Sequence, residues 1–511
     1  MAENRISLAA ARGNFLTWCI TGLLPLQELC KPLYIGQQLT GADGVPGEWY
    51  RIYSTNEARA KFGSGSILAL MAEQHFNCCD ELPLYVSPVN DTASATAAVN
   101  TITITGPATD NGAIAIAILD EIYAVGVVTG ATADSMAAAL AAQLQKNNNL
   151  PFTVTVATNV ITLTAKNKGP EANWFAPIVS PNFGDALPAG VTVAFNQTTP
   201  GTGVIDISPA VAVMMCAWDC IALGTEDEIA VNTFIQLVRQ NWRCGVQGDF
   251  RDGHVFHSRT DTAGQIAAYG MDRNNPEECV IPVRNGYKYP GYIMAAAMAS
   301  RVCCTACYDP TRPVQYDNGV LCLLFDERQC TTIWTAEEKR AFYDSGIVNW
   351  DVANSRGVRN TSLWIEEPLT TYKYNPLTGA PDGAWQRVES RYATAKFVRD
   401  LGWWYRTNYS SHSLVSDGTR IPQGKRAVSP RILQASILAW LRATQIGWTA
   451  EDPGQLERMV RVERTNTPNN CDPNRVNVLI DLDLVNQLAR IATSIDVSPE
   501  FACIPPTAIA A

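Results

Sequence analysis

The stretch Leu488-Ala489-Arg490-Ile491-Ala492-Thr493-Ser494-Ile495-Asp496-Val497 decides how this chain is to be read. Ala489, Ile491, Thr493, Ile495 and Val497 fall on one face, and Leu488, Arg490, Ala492, Ser494 and Asp496 on the other. A period of two marks a half-buried strand. The tail that follows, Ser498-Pro499-Glu500-Phe501-Ala502-Cys503-Ile504-Pro505-Pro506, offers it no partner. A strand in that position needs a sheet edge, on its own chain or on another copy. The first outcome is an ordinary folded domain; the second is one subunit of a linked polymer.

Working outward, residues 361–487 read as an α+β block. A strand is expected over Leu363 to Lys373 and a helix over Glu389 to Arg406. Ser429-Pro430 is a cap with proline at the first helical position, and Leu433, Ile437, Trp440 and Leu441 share a face of the helix it opens. Asp452-Pro453-x-Gln455 repeats that start signal. Strands Val460 to Glu463 and Arg475 to Ile480 flank the turn Thr467-Pro468-Asn469-Asn470.

Residues 31–91 and 204–360 read as one α/β middle domain. Leu33 to Gly36 and Leu84 to Val86 are strands around a helix that Ser66 caps. After the break come a capping box at Thr225-Glu226-Asp227-Glu228, strand His254 to His257, helix Thr262 to Tyr269, strand Cys279 to Val283 and an Ala/Met helix from Pro290 to Cys304. A second capping box, Thr335-Ala336-Glu337-Glu338, precedes strand Gly346 to Trp350. Between the halves, residues 92–203 are rich in Thr, Ala and Val and free of cysteine. Strands at Thr101 to Thr105 and Ala113 to Ile116, helix Thr132 to Gln145, and a hairpin around Thr158-Asn159 make this a strand-rich insertion domain. Residues 1–30 form an N-terminal arm and 488–511 a C-terminal arm and tail. The fold class is therefore α/β plus α+β, multidomain.

A chain of 511 residues fits roughly three domains at about 150 residues each. Its 47% hydrophobic and 17% charged content is that of a globular protein. Net charge −10 and a pI near 5.1 argue against a nucleic-acid partner. The sequence has no run of 18 apolar residues, so direct membrane insertion is not expected. Phe15 to Leu24 mimics a signal peptide, but Glu3 precedes it and no A-x-A cleavage site follows.

Fifteen cysteines is an odd number, which leaves a free thiol or an intermolecular bridge. Buried free cysteine suits Cys216, Cys220 and Cys303; the Pro-rich tail suits burial of Cys503 poorly. The chemistry of an active site is weakly represented. Of the four histidines, His254 and His257 lie three apart on a strand and point to opposite faces. Cys304-Thr305-Ala306-Cys307 lacks a second CxxC at zinc spacing. Gly418 to Arg426 departs from the phosphate-loop pattern in spacing and ends in Arg426 instead of Ser or Thr. No catalytic residue, cofactor site or metal site is assigned.

Several short stretches stand in a definite order: Leu33-Tyr34-Ile35-Gly36-Gln37, Phe62-Gly63-Ser64-Gly65-Ser66-Ile67-Leu68, Leu163-Thr164-Ala165-Lys166-Asn167-Lys168-Gly169 and Leu187-Pro188-Ala189-Gly190-Val191-Thr192-Val193. Asp252-Gly253-His254-Val255-Phe256, Arg273-Asn274-Asn275-Pro276, Asp309-Pro310-Thr311-Arg312-Pro313 and Thr335-x-x-Glu338 follow. Leu369-Thr370-Thr371-Tyr372, Asp417-Gly418-Thr419-Arg420, Asp472-Pro473-Asn474-Arg475 and Asp483-Leu484-Val485-Asn486-Gln487-Leu488 close the series. In order and spacing these resemble the Mu-like family of contractile phage tail sheath subunits.

The resemblance implies a structural protein and not an enzyme. Such subunits polymerise around a tail tube and contract to drive it through the host envelope. The implied partners are further copies of itself in a helical homo-polymer, the tail tube protein, and baseplate and tail terminator proteins. It also implies a virion location after assembly in the bacterial host cytoplasm, and an assembly domain over 361–487 with exchanged terminal strands, Leu488 to Val497 being the donated one. Met1 to Leu26 lacks the Pro-Gly-aromatic segment that the family's N-terminal arm often carries. A virion moves from a reducing to an oxidising medium, so disulfides between subunits, drawn from Cys19, Cys30, Cys471 and Cys503, are expected to lock the extended state, at about 2–4 kcal/mol each. The alternatives are an α/β enzyme with a redox Cys304–Cys307 pair, or another tail or baseplate structural protein.

Overall fold

The computed structural model describes residues 30–488, apart from 182–183, 216–217, 243–252, 316–318, 325–332, 353–361, 452–457, 459, 465–473 and 482. The chain begins with β1 (Pro32–Gln37), β2 (Tyr50–Ile52), α1 (Thr55–Phe62), α2 (Ile67–Cys78) and β3 (Leu84–Val89). Ser66 caps α2 as its sequence predicts, its Oγ accepting from the Ala69 N–H at 3.1 Å.

Next come β4 (Val99–Thr105), β5 (Gly112–Ile118), β6 (Glu121–Val127), α3 (Ala133–Leu144), β7 (Phe152–Ala157), β8 (Val160–Ala165), β9 (Ile178–Val179) and β10 (Thr192–Thr199). They form two antiparallel sheets, ordered β10-β4-β8-β7 and β6-β5-β9. The Thr/Ile alternation of β4 turns Ile102 and Ile104 inward. There they meet Met136, Leu140 and Leu144 of α3 and Ile114 and Ile116 of β5 in one core. The hairpin turns at Thr158, whose φ is 53°.

The chain then adds β11 (Cys220–Leu223), α4 (Glu228–Trp242), β12 (His254–Asp261), α5 (Ala263–Met271), β13 (Glu278–Arg284) and α6 (Gly291–Tyr308). With the opening strands they make a six-stranded sheet ordered β13-β12-β11-β1-β3-β2, in which only β2 is antiparallel to its neighbour. Helices cover both faces. Leu33 and Ile35 of β1 pack with Ile221, Leu223 and Val255 and with Val231, Phe234 and Val238 of α4. Tyr34 faces the other way, into the core of α2 and α6. Burial on both sides explains why β1 and β3 are buried at every residue and mostly apolar instead of alternating.

The capping box expected at Thr225 is displaced. Asp227 caps α4, its Oδ2 accepting from the Ala230 N–H at 2.9 Å. Thr225 and Glu226 are taken up elsewhere. The Thr225 hydroxyl and the Glu226 N–H both donate to Glu171 Oε1, at 2.7 and 3.0 Å. Glu226 itself accepts from Ser258 Oγ, Thr260 N and Thr260 Oγ1. Two carboxyls thus meet where the 92–203 segment docks on the six-stranded sheet. Burial, and then the charge of Glu226, push the Glu171 carboxyl up to about 8. A raised acid holds its proton in the folded state over a range where the unfolded chain has lost it. Its stabilising contribution is therefore complete below the ordinary carboxylate value, about 4.3, and is lost as pH rises through about 8. Glu171→Gln, which mimics the protonated acid, is expected to flatten the fall in urea midpoint between pH 5 and 9 relative to the parent. An unchanged slope would remove Glu171 as its source.

The remaining elements are β14 (Val320–Leu324), α7 (Ala336–Ser345), β15 (Asn349–Val352), β16 (Ser362–Glu367), α8 (Val388–Tyr409), β17 (Ser413–Leu414), β18 (Ala427–Val428), α9 (Pro430–Thr444), β19 (Val460–Arg464) and β20 (Val476–Ile480). The Thr335 capping box forms, both halves present. Two strands are shorter than their sequence predicts. Gly346 closes α7 in the left-handed region at φ 74°, so β15 starts at Asn349. β16 stops at Glu367 because Pro368 has no N–H to continue the ladder. Beyond it the Thr370 and Thr371 amides bond to Gln386 and Glu278 carbonyls. The protein is thus a multidomain α/β mixture built on several sheets. Ala489 to Val497, the helix start at Asp452, the turn at Thr467, and Cys19, Cys471 and Cys503 lie outside the described residues.

Candidate functional site

α8 is one helix of 22 residues, about 33 Å long, and it belongs to two cores. Val388 and Tyr392 sit in the core of the six-stranded sheet. Phe397, Val398 and Leu401 sit in a second core with Leu433, Ile437, Trp440 and Leu441 of α9 and Val460 and Val462 of β19. The α9 residues are those whose helical spacing predicts a shared face, and Ser429 caps the helix as expected.

The first turns of α8 are held by buried charge. Glu277, 3% exposed, pairs with Arg391 at 3.2 Å and with Arg239 at 3.1 Å. Arg399 pairs with Asp219 at 2.7 Å, and the Tyr392 hydroxyl donates to the Asp219 carbonyl at 2.7 Å. His254 stacks on the Tyr392 ring, centroids 4.8 Å apart. Its neighbour His257 faces α5 and bonds Glu278 at 3.0 Å. The two histidines have separate partners.

At the far end of α8 lies the antiparallel pair β19–β20, in register from Val460 opposite Ile480 to Arg464 opposite Val476. Val460 and Val462 point into the α8–α9 core, while Arg461 and Glu463 are exposed. Val476, Val478 and Ile480 of β20 pack against the same core. Among the described residues this sheet has two strands only, so each has one long side without a strand neighbour. A two-stranded sheet is marginal by itself, and here α9 supports it, Gln434 Nε2 donating to the Val460 carbonyl at 2.7 Å. Beyond β20 the backbone is tied down by Glu451 N–H to Asp483 and Val485 N–H to Thr449. Leu488, the one described residue of the terminal stretch, is 71% exposed and outside regular structure. The geometry offers main-chain groups for pairing along open sheet edges.

The glycine-rich basic segment 418–426 is a solvated loop between β17 and β18, with Arg420, Lys425 and Arg426 exposed. Cys304 and Cys307 face different partners, Cys79 and Cys30 respectively, and so do not form a CxxC couple with each other. Cys30 is buried beside Cys303 and Cys307 of its own chain. Among the described residues no group of three His, Cys, Asp or Glu side chains is placed to hold a metal ion, and no helix is long and apolar enough to cross a membrane.

The "Mu-like prophage FluMu tail sheath protein" of Haemophilus influenzae is 28% identical over 475 residues, covering 92% of this chain and 93% of that one. This chain is similar to the Mu-like tail sheath proteins. The likeness extends over most of the chain and is not confined to one sheet. No family model matches the sheath-like chain. Among solved structures, the sheath tail protein from Listeria innocua superposes with a TM-score of 0.45 at 12% identity, covering 93% of this chain and 94% of that one. A chain of the anti-feeding prophage baseplate in its contracted state gives a TM-score of 0.43 at 11% identity, covering 94% and 97%. Both superpositions are loose.

Proposed function

We propose that this chain is a structural, non-enzymatic subunit of a contractile phage tail sheath, which polymerises around a tail tube and contracts to drive it through the host envelope. The observation that carries this is the similarity to a tail sheath protein over 92% of the chain. The two-stranded β19–β20 sheet supports it by leaving edges for strands from other copies.

In this reading residues 361–487 form the assembly domain, 31–91 and 204–360 the α/β middle domain, and 92–203 an insertion. The arms are 1–30 and 488–511, with Leu488 to Val497 donated to a neighbour's sheet. The partners are copies of itself, the tail tube protein, and baseplate and terminator proteins, within a virion assembled in the bacterial cytoplasm. Bridges between subunits would come from Cys19, Cys471 and Cys503; a bridge from Cys30 first requires its buried pocket to open.

Electron microscopy of the purified full-length protein at increasing concentration tests the reading. Hollow cylinders of constant diameter are the expected result. Discrete particles at every concentration, with or without added tail tubes, would overturn it.

A further inference from the structure

Nine free cysteines are described, and most of them cluster around α6. At the end of α2 a cleft of about 260 Å³ opens between that helix and α6, lined by Cys78, Cys79, Glu81, Arg301, Cys304 and Arg312. Cys79 ends α2, and its N–H bonds the His75 carbonyl at 2.8 Å. Cys304 stands on the facing side of α6. The two thiols line the same cleft and interact with each other although they are far apart in the chain. A second pair of interacting thiols, Cys78 and Cys322 of β14, lies close by, with Cys78 Sγ donating to the Leu321 carbonyl at 2.8 Å. Arg301 lines the cleft as well, its Nε donating to the Val320 carbonyl at 2.7 Å.

We propose that this cleft is a thiol–disulfide exchange site, at which Cys79 and Cys304 close to an intrachain disulfide when a small-molecule disulfide enters it. Three features converge. The two side chains face one cleft from α2 and α6, which the Ser300 hydroxyl, donating to the His75 carbonyl at 3.1 Å, already holds together. The pair lines an opening instead of a sealed core. The two thiols are also inequivalent. The interaction with Cys304 first, then the backbone amides of residues 81 and 82, hold the Cys79 thiol below its ordinary value against its burial, whereas Cys304 is pushed up. A lowered thiol beside a raised one is an attacking group beside a resolving one.

The exchange runs in two displacements. The Cys79 thiolate attacks one sulfur of the small disulfide, breaking its S–S bond and releasing one small thiolate. Cys304 loses its proton to solvent and attacks the Cys79 sulfur of the mixed disulfide, forming the Cys79–Cys304 bond and releasing the second small thiolate. The protein gives up two electrons, and the oxidant becomes two small thiols. The product staples the end of α2 to the C-terminal part of α6. This inference does not depend on the sheath reading.

The test uses the full-length protein, reduced, freed of reductant, titrated with oxidised glutathione and alkylated with iodoacetamide before non-reducing peptide mapping. The expected product links the Cys79 and Cys304 peptides, and dithiothreitol releases it. Cys304→Ser is expected to stop the reaction half-way, with glutathione held on Cys79, an adduct that a merely structural cysteine would not accumulate. If that variant fails to fold, Cys79→Ser is expected to abolish the Cys304 link in the same map. Recovery of both parent peptides fully alkylated would overturn the proposal. So would a link that persists in Cys304→Ser, because it would assign the bond to Cys78 and Cys322.

Discussion

Glu278→Ala is expected to lower stability by about 3–5 kcal/mol, the cost of removing one partner of a buried ion pair. Glu278 has no exposed surface. Its carboxylate accepts from Arg273 Nε at 2.8 Å, Asn275 Nδ2 at 2.9 Å, Thr371 Oγ1 at 3.0 Å, the Tyr269 hydroxyl at 3.4 Å and the His257 ring at 3.0 Å. Alanine leaves the Arg273 guanidinium, 8% exposed, without its charge partner at Glu278. Several neutral donors also lose their acceptor, each a further penalty when buried. Glu278→Gln keeps the shape and some of the acceptors and is expected to cost less. Chemical denaturation of both variants checks the order, and equal stability of Glu278→Ala and parent would show that the network carries no net energy.

The same residue sets an acid limit. Burial by itself would raise the Glu278 carboxyl, but hydrogen bonding and charge from His257 and Arg273 overcome it and hold it at about 2. The folded value lies below the unfolded one, so this contribution is complete above the ordinary carboxylate range and is lost as pH falls through about 2.

Ending the chain after Gln487 is expected to abolish polymerisation while leaving the fold intact. The last backbone ties on the described body are those of Asp483 and Val485 to the Thr449–Glu451 turn, and Leu488 is already solvent-exposed. The shortened chain keeps every residue of the described cores. It does remove the stretch whose alternation suits an open sheet edge on a neighbouring copy. Sedimentation and electron microscopy should show particles of one subunit with the parent's melting temperature. Cylinders assembled from the shortened chain would refute strand donation by this arm.

Much of the fold was legible locally. Ser66, Thr335 and Ser429 cap the helices their spacing announces, because a cap is settled by three or four consecutive residues. Thr225 shows the limit of that rule. Its pattern is sound, but Glu171 from the 92–203 segment claims the hydroxyl, and Asp227 takes its place. β6, β10 and β14 give weak signals: β10 is mostly exposed and carries Asn196 and Gln197, and β14 is bent, with Cys322 at φ 51°.

The amino-acid sequence alone determined the capped helices, the alternating strands, the segmental order and the likeness to tail sheath proteins, since each rests on residues close together or on their succession. Only the tertiary structure decided the Glu278 hub, the sharing of α8 between two cores, and the division of Cys304 and Cys307 between Cys79 and Cys30. Those depend on which distant groups are buried together. Burial fixes the strength of a charge pair and the reactivity of a thiol, and no local spacing encodes it.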